Sequence, residues 1–187
     1  MAEQKQTKTD EELALSVQHG DKELFGELIT RYEDKMLRYA SRFLQSPQER
    51  QDIVQDIFLK SYSAIQSFDS NRKFSSWLYR IAHNEIVNLL KKNSRSPLNF
   101  FDPETFFPHP VSHEMPERDL EKKEIEHLVA GSLKELDYKY KEVLVLYYIE
   151  DMDYNDISEI LKIPVSTVGV RLGRGREKLK QLIGGKQ

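Results

Sequence analysis

Near the carboxy terminus Thr167, Arg171, Arg174 and Lys178 follow one another at intervals of 4, 3 and 4 residues. That spacing puts a hydroxyl and three cations on one face of a helix. Cations so arranged neutralise phosphates, and Ser166 and Thr167 at the helix start add hydroxyls and N–H groups suited to an anion. A solvated face ordinarily mixes signs, whereas from Lys162 to Gln187 seven basic residues face Glu177 alone. A second basic block runs from Asn71 to Arg95, with six basic residues against Glu85. Between them Asp102 to Glu126 holds eight acids and three bases, which is how a net charge of -3 conceals two cationic segments. Catalysis is not indicated. The chain has no Gly-rich phosphate loop, nucleophile elbow or metal-ligand cluster, and His109 and His113 lie among prolines at a spacing that makes a poor metal site. No cofactor and no small-molecule substrate are expected.

The cationic row needs an element to hold it. Val165, Val168, Leu172, Leu179 and Leu182 form an apolar stripe along the same stretch, so a helix from Val165 to Ile183 is expected to bury that stripe and expose the cations. Pro164 suits its first turn. Before it a short helix from Tyr154 to Leu161 and a break at Lys162-Ile163-Pro164 complete the order of a helix-turn-helix, whose second helix enters the major groove. Gly169, Gly173 and Gly175 each cost such a helix about 1 kcal/mol relative to alanine, so packing or close approach to a phosphate must compensate.

The remaining chain also reads as helix, with apolar residues three and four apart and no alternating strand pattern. Thr9 or Asp10 caps a first helix that Gly20 ends, a second spans Asp21 to Leu44, and Ser46-Pro47 opens a third. A fourth runs from about Arg72 to Lys92, with Phe74, Trp77, Leu78, Ile81, Leu89 and Leu90 inward and Tyr79 nearer the basic face. Five of the seven prolines fall between Pro97 and Pro116, which excludes a helix there. The expected fold is therefore all-α: a helical bundle over 10–96, a flexible acidic, Pro-rich linker over 97–118 that carries Phe100, Phe101, Phe106 and Phe107, and a second bundle over 119–184, with helices Glu117–Leu136 and Tyr138–Glu150 ahead of the helix-turn-helix. With no cysteine, no long apolar run and a polar amino terminus, the chain is expected in the cytoplasm.

Two strings narrow the function. Asp52-Ile53-Val54-Gln55-Asp56-Ile57-Phe58-Leu59-Lys60-Ser61-Tyr62 and Phe74-Ser75-Ser76-Trp77-Leu78-Tyr79-Arg80-Ile81-Ala82-His83-Asn84 resemble regions 2.1 to 2.4 of extracytoplasmic-function (ECF) sigma factors, and Tyr154 to Arg176 resembles their region 4.2. The resemblance covers both bundles in order. It implies a transcription initiation factor that docks on core RNA polymerase, through the clamp helices of the largest subunit and the flap, and carries it to promoter DNA. Asp52, Gln55 and Asp56 would then face polymerase. Phe68, Arg72, Lys73, Phe74, Arg80 and Asn84 would take the minus-ten element, where unstacked bases need apolar walls, cations and an amide at a base edge. Ser166, Thr167, Arg171, Arg174 and Lys178 would bind the minus-thirty-five element. Gly169 stands where the family usually has Lys or Arg, which removes one cation from that surface. An anti-sigma protein is a further implied partner. Trp77 is expected in the core, and a linker of 22 residues reaches ~70 Å at ~3.3 Å per residue, enough for two DNA elements to be held at once. A stand-alone helix-turn-helix regulator is the alternative.

Overall fold

The computed structural model describes residues 8–93 and 135–184. The expected linker over 97–118, its four phenylalanines and most of the helix expected over Glu117–Leu136 lie outside the described residues. The chain divides into two compact units with the boundary between Lys92 and Asn93.

In the first unit α1 (Asp10–Gln18) begins at Thr9. The Thr9 hydroxyl accepts from Glu12 N at 3.2 Å while Thr9 N donates to the Glu12 carboxylate at 2.8 Å, a reciprocal capping box. Asp10, Glu11 and Glu12 place acids where the helix dipole is positive. Gly20, at φ +108°, ends the helix: its N–H bonds Val17 O and the Asp21 N–H bonds Ser16 O, the double closure that an αL residue allows.

A 3₁₀ turn (Lys22–Leu24) leads into α2 (Phe25–Ser41), whose Phe25, Leu28, Tyr32, Met36, Tyr39 and Ala40 are buried at helical spacing. Ser46 caps α3 (Pro47–Ala64) with Pro47 in its first turn, and the Arg50 guanidinium closes the α2–α3 turn by donating to Leu44 O and Gln45 O, each at 2.8 Å. A 3₁₀ turn (Ile65–Ser67) and a short loop precede α4 (Phe74–Asn93). Edge-to-face ring pairs knit the core, with Tyr32 on Phe74 at 5.5 Å and Tyr39 on Tyr79 at 5.2 Å. Each is worth ~0.5–1.5 kcal/mol beyond area burial.

In the second unit α5 (Tyr138–Leu144) runs directly into a π-helical turn (Val145–Ile149), and residues 142–146 are buried without interruption. Asp151, at φ +56°, ends the run. Asp153 caps α6 (Tyr154–Leu161) by accepting from Asp156 N at 2.8 Å. Lys162, left-handed at φ +56° and ψ 43°, turns the chain, and the Ser158 hydroxyl donates to Ile163 O at 2.6 Å to brace it. The last helix, α7 (Val165–Gly184), packs on α5 and α6. Gly175 sets how closely: a Cβ there would lie 3.1 Å from Leu144 Cδ1 and 3.4 Å from Tyr140 Cβ.

Candidate nucleic-acid interface

The first unit carries a polar stripe on α4. Arg80, Asn84, Asn88 and Lys91 are exposed, Lys73 is exposed immediately ahead of the helix, and Trp77 is half-buried. Steps of 4, 3, 4, 4 and 3 align Lys73, Trp77, Arg80, Asn84, Asn88 and Lys91 on one face over ~27 Å at ~1.5 Å per residue. Glu85, the one acid of α4, ion-pairs with Lys60 of α3 and is 12% exposed. The stripe itself therefore contains no acid.

Arg72 and Lys73 belong to the loop from Phe68 to Phe74. Asp69 organises it: one carboxylate oxygen accepts from Asn71 N and from the Asn71 amide, both at 3.0 Å, and Asp69 O accepts from Arg72 N at 2.9 Å. These bonds, the Asn71 backbone N–H foremost, hold the Asp69 carboxyl below the ordinary carboxylate range, so the turn keeps its charge at neutral pH.

Phe68 and Phe74 correct the sequence expectation. They are 5% and 1% exposed and meet edge to face at 5.5 Å, so they belong to the core. Trp77, expected in the core, packs on both rings, 5.4 Å from Phe68 and 5.5 Å from Phe74, and is half-buried, while Tyr79 is 2% exposed. The aromatic surface beside Arg80 is thus Trp77, supported from beneath by the two phenylalanines.

The α7 residues are rotated from their expected places. Val168, Arg171, Leu172, Gly175 and Leu179 form the buried stripe, whereas Val165 and Leu182 are half-exposed. Thr167 and Arg171, 1% and 8% exposed, are corrected from DNA-facing to interior, and the Thr167 hydroxyl is without a hydrogen-bond partner. Gly175, one turn beyond Arg171 on the same face, packs closely on Leu144 and Tyr140 of α5. Lys178 reaches Asp137 at 2.9 Å and lies over the Tyr140 ring at 4.9 Å. Ser166 and Arg174 are half-exposed. Opposite the buried stripe lie Ser166, Gly169, Val170 and Gly173, followed by exposed Glu177, Lys180 and Gln181. Gly173 has open space at its Cβ position.

Asp52, Gln55 and Asp56 are all exposed along α3. Beside them α2 and α3 enclose a groove of about 700 Å³ that Gln55 lines together with Phe25, Ile29, Phe58, Leu59 and Tyr62. Leu59 and Tyr62 are 59% and 38% exposed, an apolar edge not anticipated from the sequence. Among the described residues no group of acids and histidines forms a metal site, and no helix is long and apolar enough to cross a membrane.

Comparison with known proteins gives this geometry its family. Residues 28–96 match the Sigma-70 region 2 family and residues 128–179 match the Sigma-70, region 4 family. The chain is 36% identical over 173 residues to the ECF RNA polymerase sigma factor SigW of Bacillus subtilis, covering 88% of this chain and 91% of that one. It is 35% identical over 181 residues to the ECF RNA polymerase sigma-E factor of Haemophilus influenzae, covering 94% and 95%. Among solved structures, CnrH in complex with the cytosolic domain of CnrY matches 95% of this chain and 99% of its own at TM-score 0.69 and 26% identity. The sigma factor RpoE of Bartonella quintana, solved with the anti-sigma factor NepR, shares the fold at TM-score 0.62 and 20% identity, over 87% of this chain and 98% of its own. The chain belongs to the ECF RNA polymerase sigma factors.

Proposed function

We propose that the chain works in the cytoplasm with core RNA polymerase, that α4 and the loop before it take the minus-ten element, and that α7 takes the minus-thirty-five element. The acid-free stripe on α4 carries this reading. Lys73, Arg80 and Lys91 meet the backbone of the non-template strand, Asn84 meets a base edge, and Trp77 offers a ring on which an unstacked base can rest. Arg72 adds charge from the loop. On α7 the contact falls to Ser166, Arg174 and Lys180 around a nearly side-chain-free strip at Gly169 and Gly173, which lets the backbone approach the duplex closely. Asp52, Gln55 and Asp56, with the groove beside them, form the face offered to polymerase. A protein partner covers the chain when it is idle, in keeping with relatives solved as complexes.

The test is transcription reconstituted with purified core polymerase. Arg80→Ala with Asn84→Ala is expected to abolish strand opening while leaving affinity for core polymerase unchanged. Normal opening by that pair would remove α4 from the interface.

A further inference from the structure

The loop that carries Arg72 and Lys73 is fastened at both ends by α1. At its start the Gln18 amide donates to Ile65 O at 2.7 Å and to Phe68 O at 2.8 Å, and the Gln66 amide returns a bond to Gln18 O at 3.0 Å. At its finish the Glu11 carboxylate accepts from Phe74 N at 2.9 Å, occupying the first orphan N–H of α4 from a helix 63 residues away in sequence. Glu11 and Gln18 are seven residues apart, two helical turns, so they project from one face of α1 ~10 Å from each other at ~1.5 Å per residue. Both ends of α1 are themselves fixed. Asp10 accepts from the Tyr32 hydroxyl and from Arg31, each at 2.6 Å, and the Gly20 closure follows Gln18 by two residues. Between these fastenings Asp69 gives the loop local bonds, and Trp77 N donates to Lys73 O at 3.3 Å.

From this we infer that Glu11 and Gln18 are positioning residues for promoter opening: α1 acts as a rigid gauge that sets the loop's two ends, so that Arg72 and Lys73 meet an unstacked strand without first having to be ordered. A loop ordered beforehand binds without the entropic cost of ordering. The inference rests on the assignment of the loop to the minus-ten element. It adds a role for α1, which makes no contact with DNA in that assignment.

The chain contains its own reporter. Trp77, the single tryptophan, packs on Phe68 and Phe74, the residues bordering the loop, so its emission follows their placement. The full chain, bound to core polymerase, is to be assayed for strand opening on a duplex promoter by permanganate reactivity. Affinity for core polymerase and Trp77 emission are recorded alongside. Gln18→Ala and Glu11→Ala are each expected to lower opening by about fivefold or more, the factor that one net hydrogen bond supplies. Core affinity stays at the wild-type value, Trp77 emission shifts, and Glu11→Gln, which keeps an acceptor oxygen, restores opening. The deficit persists at temperatures well below each variant's unfolding transition, whereas a merely structural defect would recover there and overturn the inference. Normal opening by both alanine variants, with poor opening by Arg72→Ala plus Lys73→Ala, would sink the gauge and leave the loop's assignment standing. Normal opening by the Arg72 and Lys73 pair would overturn the assignment and the gauge together.

Discussion

Tyr32 shows how one hydroxyl ties a helix start to the core. Its ring is 3% exposed against Phe74, and its hydroxyl donates to Asp10. Burial first, then the bond to Asp10, push its ionisation far above the ordinary tyrosine range. The folded state therefore favours the neutral ring. The stability this supplies is complete below about pH 10, where unfolded tyrosine ionises, and is lost as pH rises beyond it. Tyr138, raised by burial and then by Glu142, acts in the same direction in the second unit. Urea titrations at neutral pH and at about pH 11 are expected to show an alkaline loss of stability that Tyr32→Phe reduces, with a cost near neutrality of about 1 kcal/mol for the missing hydrogen bond. An unchanged alkaline slope in Tyr32→Phe would assign the effect elsewhere.

At the level of the helix, the start and stop signals were legible and the buried faces only in part: Val168, Leu172 and Leu179 of α7 are buried as expected, whereas Val165 and Leu182 are half-exposed. Thr9 with Glu12, Ser46-Pro47, Gly20 and the limits of α6 are local signals, and each sits where the local chemistry requires. The face of α4 is a tertiary outcome. Apolar residues occupy most of its circumference outside the polar stripe, so periodicity allows several inward stripes. Partners on other elements, such as Tyr39 against Tyr79, select the one containing Leu78, Ala82, Ile86 and Val87. On α7 the apolar pattern pointed to Val165 and Leu182, whereas Arg171 lies inward on the face that Gly175 packs against α5. Glu11 and Gln18 had no local signal, because the groups they bind lie 47 to 63 residues away. The α7 glycines separate the two uses of that residue. Gly175→Ala presses a methyl into Leu144 and is expected to cost about 1–3 kcal/mol, less the ~1 kcal/mol of helix propensity gained. Gly173→Ala, in open space, should stabilise by about 0.5–1 kcal/mol. The unfolding temperature should rise for Gly173→Ala and not for Gly175→Ala.

For the molecule as a whole, sequence gave the correct class, two helical units and the family, since charge blocks and motif order survive without knowledge of side-chain orientation. A net charge of -3 is compatible with the proposed promoter binding because residues 71–95 and 162–187 together carry thirteen basic residues against Glu85 and Glu177 alone. Segregated charge has a measurable signature in salt. Each phosphate contact contributes about 0.9 to the slope of log affinity against log salt concentration on duplex DNA. Arg80→Ala should accordingly flatten the slope for polymerase-bound protein on promoter DNA by about that amount. A slope equal to wild type would mean that Arg80 touches no phosphate.

The pairing of Lys60 with Glu85 links the two helices proposed to face polymerase and DNA. Lys60 stands on α3, and its ammonium balances the one carboxylate of α4. A neutral residue at 60 would leave the Glu85 charge unbalanced next to the proposed DNA-facing stripe of α4. A partner that drew Lys60 toward itself would do the same, so occupancy of one surface can tune affinity at the other with no helix moving.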